Sequence, residues 1–221
     1  MNIVIASSNT WFTLERDVAT SHNVTYIHDN ADLTQDNLTA IDPDVIFFPH
    51  WNWKVSSSIH TQYPCIVFHT APLPYGRGGS PIQNLILEGY AEAPVCAIQM
   101  TDDIDAGAIY LKQNVSLKGS LSDIFERINS TVNILIAELV TGVLPEPKPQ
   151  TGEPYYFKRR DVINNIIPKN MDLEKVFDRI RMLDHRDYPQ SYIIHGNYKI
   201  EFSSAEYDGD NITATCKISK C

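Results

Sequence analysis

Short apolar runs alternate with helix-compatible stretches through the first two-thirds of this chain, and that alternation limits the fold more than any other feature. Ile3-Val4-Ile5-Ala6 is an unbroken apolar run, the pattern of a strand buried on both faces. Strand-like runs follow at residues 23–28, 44–48, 65–68, 93–100 and 108–117. Between them, residues 11–19 and 33–40 are compatible with helix. Ser80-Pro81 predicts a helix start, with the Ser80 hydroxyl as N-cap and proline at the first helical position. Gly89 suits its stop. The longest predicted helix opens at Ser120 or Ser122 and ends before Gly142. Ile124, Ile128, Val132, Leu135, Ile136 and Leu139 form one apolar stripe along it. Strands alternating with helices over ~140 residues predict an α/β, Rossmann-like fold with a mostly parallel sheet covered on both faces.

The pattern then changes. Pro145, Pro147, Pro149 and Pro154 exclude helix, so residues 144–160 read as an extended linker. Beyond it, Leu173, Val176, Phe177, Ile180 and Leu183 predict an amphipathic helix opened by Asp172. Residues 191–195 and 198–203 predict a hairpin turning at Gly196-Asn197, and 212–218 a third strand. The expected organisation is a main domain at 1–143, the linker, and a small C-terminal α+β appendage at 161–221.

Charge and composition exclude several partners. The formal net charge of −9 repels phosphate backbones, so a nucleic-acid partner is not expected without a local basic patch. No apolar run approaches the roughly 20 residues that a bilayer requires. The start of the chain has neither a basic region nor a small-residue cleavage site. Cysteines 65, 96, 216 and 221 form no Cys-x-x-Cys pair, as in a reduced, cytoplasmic protein. Sequons such as Asn129-Ser130-Thr131 are then chance matches. The seven histidines lack His-Glu-x-x-His or Cys/His spacing, so no metal is expected. No Gly-x-Ser-x-Gly elbow points to a serine hydrolase.

In open parallel sheets, ligands bind beyond the carboxyl ends of the strands. Three connections predicted there stand out: residues 49–54, 69–81 and 101–107. His69 ends a buried strand, and a carboxylate such as Asp105 would stabilise its protonated form. A cationic imidazole can hold a developing oxyanion, while the aspartate orients it and shuttles a proton from an attacking amine. Asn52 is the amide donor that could complete the oxyanion site. Trp51 and Trp53 could clamp an aromatic ring, or be partly buried surface side chains. Arg77 lies in a glycine-rich turn just before a helix start, a place suited to an anion or to a structural turn alone. Lys158-Arg159-Arg160 is the single three-residue basic cluster, either a phosphate contact or a solvated face.

Taken together, the segment His69-Thr-Ala-Pro-Leu-Pro-Tyr-Gly-Arg-Gly-Gly-Ser-Pro-Ile-Gln83, followed 36 residues after His69 by Asp105 within Ile104-Asp105-Ala106-Gly107, resembles the folate-dependent formyltransferases. That family carries Asn-x-His, Ser-Leu-Leu-Pro, Arg-Gly and Pro-Ile-Gln, and later Leu-Asp-x-Gly. The resemblance spans roughly residues 1–160, and makes 1–143 the catalytic domain. It implies 10-formyltetrahydrofolate as co-substrate, without a metal, and direct formyl transfer to an amine with His69 and Asp105 as catalytic residues. It places the pterin near His50, Trp51, Trp53, Asp102 and Asp103. Where the family has the first asparagine this chain has Val67, so Asn52 substitutes for it, or His69 and backbone act alone. Ala71 stands where the family usually has serine. The resemblance is strongest to the branch acting on nucleotide-linked 4-amino sugars. It implies a sugar-nucleotide substrate met by Tyr75, Arg77, Gly78, Gly79 and Lys158, with a homodimer as one possible assembly. Methionyl-tRNA or glycinamide ribonucleotide as acceptor, or a non-catalytic binding relative, are the alternatives.

Overall fold

A computed structural model describes residues 1–10 and 12–221. In chain order its elements are β1 (Asn2–Ala6), α1 (Arg16–Ser21), β2 (Asn23–Ile27), α2 (Gln35–Ile41), β3 (Val45–Phe48), α3 (Ser57–His60), β4 (Cys65–Thr70), β5 (Tyr75–Gly78) and α4 (Pro81–Leu87). There follow β6 (Glu92–Gln99), β7 (Ile109–Ser116), α5 (Leu121–Leu139), β8 (Tyr155–Phe157), α6 (Leu173–Arg181), β9 (Ser191–His195), β10 (Tyr198–Tyr207) and β11 (Ile212–Lys220). The first helix begins later than the pattern from residue 11 predicts, and Trp11 itself lies outside the described residues.

The chain divides into two compact units. The first comprises residues 1–77, 94–114 and 128–155. Its core is a six-stranded sheet in the order β2-β1-β3-β4-β6-β7. β1 pairs in parallel with β2 and β3, and β3 with β4. Ile3, Val4, Ile5, Val45, Ile46, Phe47 and Phe48 are fully buried, which is why these runs carry no alternation of polar and apolar residues. The chain runs from β1 to β2 on one side and then to β3 on the other. The β1–β3 carboxyl ends are therefore a topological switch point.

One feature departs from the parallel expectation. β4 pairs with β6 in antiparallel register, Ile66 opposite Gln99 and Thr70 opposite Val95. The loop after β6 therefore leaves from the edge where β4 begins, not from the edge where it ends. Consistent with this, the Met100 N–H donates to the Cys65 carbonyl (2.9 Å). The proline-rich segment is extended, as its prolines demand, and hydrogen-bonds into the fold: Lys148 and Ile109 exchange two backbone bonds of 2.8 Å.

The second unit comprises residues 78–93, 115–127 and 156–221. β9, β10 and β11 form an antiparallel sheet, with Gly196 at φ +58° in the β9–β10 turn. Gly78 and Gly79 lie under residues 157–159. A Cβ at Gly78 would meet the Phe157 carbonyl oxygen at 2.7 Å, and one at Gly79 the Arg159 Cβ at 2.7 Å. These glycines are explained by close backbone approach. Ser80 is not the predicted side-chain cap. It is left-handed (φ +54°), and its hydroxyl accepts from the Arg160 N–H (3.2 Å) instead. Ser120 does cap α5, exchanging bonds with Asp123. All six residues of the α5 stripe are buried, each contributing roughly 1.5–3 kcal/mol.

Among the described residues, no helix is long and apolar enough to cross a membrane, and no group of three His, Cys, Asp or Glu side chains gathers as a metal site. All four cysteines are free; Cys65 and Cys96 are buried, Cys216 and Cys221 exposed. Burial pushes the Cys65 thiol up to about 12 and the Cys96 thiol to about 11. A thiol reagent at mildly alkaline pH is therefore expected to modify two cysteines in the native protein and the other two only after denaturation. Mass spectrometry checks this, and four equally fast modifications would contradict it.

Candidate active site

His69 is the penultimate residue of β4, so the strand runs through it rather than stopping short. A strand position fixes its backbone, and burial leaves its side chain only 8% exposed. Asp105 comes from the loop after β6, which folds back to reach it. Nδ1 of His69 stands 3.4 Å from Oδ2 of Asp105, whose side chain is 15% exposed. The other ring nitrogen, Nε2, lies 2.7 Å from the Gly76 carbonyl oxygen. Each nitrogen thus faces an oxygen, and only a doubly protonated ring donates to both. A ring fixed between two oxygens and largely removed from solvent is a donor held in place. To serve a substrate oxygen, it must exchange one of these contacts.

The Asp105 loop is shaped by its backbone. Asp105 itself is left-handed (φ +53°). Gly107 packs so tightly on β6 that a Cβ there would stand 1.7 Å from the Gln99 carbonyl oxygen. Glycine is demanded at this position by contact with a strand, whatever the ligand.

Gln150 ties the parts together, although nothing in its local sequence beyond its place among prolines points to it. Its Nε2 donates to the carbonyls of Asp105 (2.8 Å) and Gly107 (2.9 Å). Its Oε1 accepts from Nε (3.0 Å) and Nη2 (2.7 Å) of Arg77. One amide therefore fastens the Asp105 loop to Arg77 through four bonds. Gln150→Glu keeps the arginine contact but sets a carboxylate against two carbonyl oxygens. We expect it to lower kcat/KM for the reaction proposed below by about 10- to 100-fold through misplacement of Asp105. Steady-state kinetics beside a melting curve checks this; an unchanged kcat/KM would refute the role.

Other predicted residues are placed as follows. His50 lies at the β1–β3 switch point with φ +56°. Its carbonyl accepts from the Ser8 hydroxyl (2.6 Å), and its Nε2 lies 2.8 Å from Asn129 Oδ1. Trp51 and Trp53 meet edge to face, centroids 4.9 Å apart at 70°. They leave no slot for a ring between them, so the expected clamp is not formed, although Trp53 remains 43% exposed. The Trp51 Nε1 is buried without an acceptor. Asn52 is exposed and, among the described residues, makes no hydrogen bond with His69 or Asp105. Val67 packs against the apolar cluster of Val4, Ile46 and Phe48, so that position supplies no donor. Asp102 is exposed and pairs with His60 (3.3 Å) on the loop that leaves from the start of β4. Asp103 is exposed, its carbonyl accepting from the Thr101 hydroxyl (3.0 Å). Tyr75 stacks on Tyr155 (4.9 Å, 13°), so that ring face is taken. Gly78 and Gly79 are packing positions, as described. Lys158 is exposed.

Residues 7–137 match the family described as formyl transferase, and residues 163–219 match the methionyl-tRNA formyltransferase C-terminal domain. The solved structure of methionyl-tRNA formyltransferase from Clostridium thermocellum is 37% identical, with all of both chains covered and a TM-score of 0.94. Methionyl-tRNA formyltransferase of Ehrlichia ruminantium (strain Gardel) is 24% identical, over 84% of this chain and 61% of the relative. The chain thus spans about three-fifths of the length of that curated relative. A sugar N-formyltransferase from Shewanella shares the fold at 18% identity, covering 89% of this chain and 93% of its own, with a TM-score of 0.68. With the family model covering more than half its residues, the chain belongs to the formyl transferase family.

Proposed function

We propose that this chain moves the formyl group of 10-formyltetrahydrofolate to a primary amine, with His69 and Asp105 carrying the chemistry. The observation that supports this most is the 3.4 Å approach of His69 Nδ1 to Asp105 Oδ2, two largely buried side chains from segments distant in the sequence. When bound, the folate supplies a formyl carbon on a nitrogen leaving group. The protonated His69 donates to the formyl oxygen as the amine attacks and the carbonyl becomes a tetrahedral oxyanion. Asp105 orients the ring and accepts the proton shed by the amine nitrogen. It then returns that proton to the departing nitrogen as the bond to the formyl carbon breaks. The orphan Trp51 Nε1, next to the His50 turn, fits a ligand that brings an acceptor, as a pterin does. Catalysis is assigned to residues 1–143, with 161–221 as the appended subdomain.

Methionyl-tRNA is the acceptor that the similar proteins' names support first. A nucleotide-linked 4-amino sugar is the second reading, and charge favours it. Residues 1–155 carry 17 Asp and Glu against 7 Lys and Arg, a field that repels a long polyphosphate. The test is to incubate purified protein with the folate donor and a panel: methionyl-tRNA, glycinamide ribonucleotide and several nucleotide-linked amino sugars. Formylated product is read by mass. No product across the panel sinks the reading. With the right acceptor, the rate is expected to fall as pH drops below ~7–8, because the nucleophile is the free amine. A profile flat to about pH 5 contradicts that.

A further inference from the structure

Two arginines of the second unit carry positive charge that the chain itself leaves unbalanced. Arg160, just after β8, donates from Nη2 to the main-chain oxygen of Asn164 (3.1 Å). Arg179, on α6, donates from Nη1 to the same oxygen (3.0 Å) and to the Ile166 oxygen (3.4 Å). One carbonyl therefore serves two guanidinium groups. Among the described residues, no carboxylate oxygen lies within 4.0 Å of either group. The Nε of each is buried without an acceptor. Like charges drawn this close and half removed from water cost free energy unless a counter-charge joins them. Burial pushes the ionisation of both arginines down, with the charge of Arg179 adding to the effect on Arg160.

Hydrogen bonds hold the frame around the pair. The Arg160 N–H donates to the Ser80 hydroxyl (3.2 Å). Asn165, beside the shared carbonyl, is buried and donates from Nδ2 to the Pro189 oxygen (2.8 Å). The Ile167 N–H donates to the Tyr192 carbonyl (2.8 Å). The surrounding sequence is also the basic part of an acidic chain: residues 156–221 carry 11 Lys and Arg against 10 Asp and Glu.

We propose that Arg160 and Arg179 form an oxyanion site for a phosphate group. A phosphate has enough oxygens to accept from both planar forks at once, which a point-like donor pair would not exploit as well.

Thermal unfolding in inorganic diphosphate, against chloride at matched ionic strength, is the first measurement. The wild-type melting temperature is expected to rise with diphosphate and not with chloride. Arg160→Gln and Arg179→Gln are each expected to weaken the apparent affinity roughly 10- to 100-fold. Arg179→Lys, which keeps charge without the fork, is expected to recover part of it. No rise in wild type, or equal rises in both glutamine variants, overturns the site; if one variant fails to fold, the other carries the comparison. Competition then separates the sources. Displacement of diphosphate by UDP with a shallow salt dependence marks a nucleotide diphosphate; displacement by tRNA with a steep one marks an RNA backbone. Diphosphate shifts without formyl transfer to any acceptor would overturn the proposed function and leave the oxyanion site standing.

Discussion

His69→Ala is expected to cut formyl transfer by about 10²- to 10⁴-fold while folate binding persists. The imidazole is the group placed to donate to the formyl oxygen, and the cavity left by alanine holds no replacement charge. Asp105→Asn is expected to lose a comparable factor. Its amide keeps the size but neither accepts the amine's proton nor supports a charged ring, 3.4 Å away. The two losses are expected to be far from additive, because both residues act on one transfer; the double variant should be little worse than the worse single one. Single-turnover kinetics with folate binding followed by fluorescence checks this. Turnover unaffected by either substitution would remove the catalytic assignment, and loss of folate binding in step with activity would favour a binding role instead.

Gly107→Ala is expected to produce the largest loss of stability of any single methyl group added near the site. Its Cβ would stand 1.7 Å from the Gln99 carbonyl oxygen and 2.8 Å from the Gln99 carbonyl carbon. Neither neighbour is a flexible side chain, so β6 and the Asp105 loop must separate. The Gln99 N–H to Ala108 carbonyl bond (2.8 Å) stretches with them, as does the Gln150 contact to Gly107. The expected cost is about 3 kcal/mol or more. Activity should fall with stability, because the displaced loop is the one that carries Asp105. Chemical denaturation gives the number, and a wild-type midpoint would show that the loop is looser than its packing indicates.

The sequence made the main elements legible because burial leaves a direct trace in it. β1 and β3 are unbroken apolar runs, and the α5 stripe repeats at helical spacing. His69 and Asp105 were legible through motif spacing. Gln150 was not, because an amide that binds main-chain carbonyls needs only a suitably placed side chain, which no local pattern announces. Gly78, Gly79 and Gly107 were visible as glycines, but their cause was not. It lies with residues 157–159 and with Gln99, which approach from elsewhere in the chain. Ser80 shows the converse. Its local signal for a cap was strong, yet the distant Arg160 N–H claims the hydroxyl.

By itself, then, the amino-acid order determined the class of fold, the family and the two side chains on which the chemistry is proposed to rest. The class of fold follows from near-neighbour spacing, because helices and strands repeat within a few residues, and the family and the two side chains follow from the resemblance carried by residues 69–83 and 104–107. The tertiary structure alone decided that β6 runs against β4, so that Asp105 must fold back to meet His69. It alone decided that Gln150 fastens that loop to Arg77, and that Arg160 and Arg179 converge on one carbonyl. Strand direction and long-range contacts depend on how distant segments pack, and no local repeat encodes that.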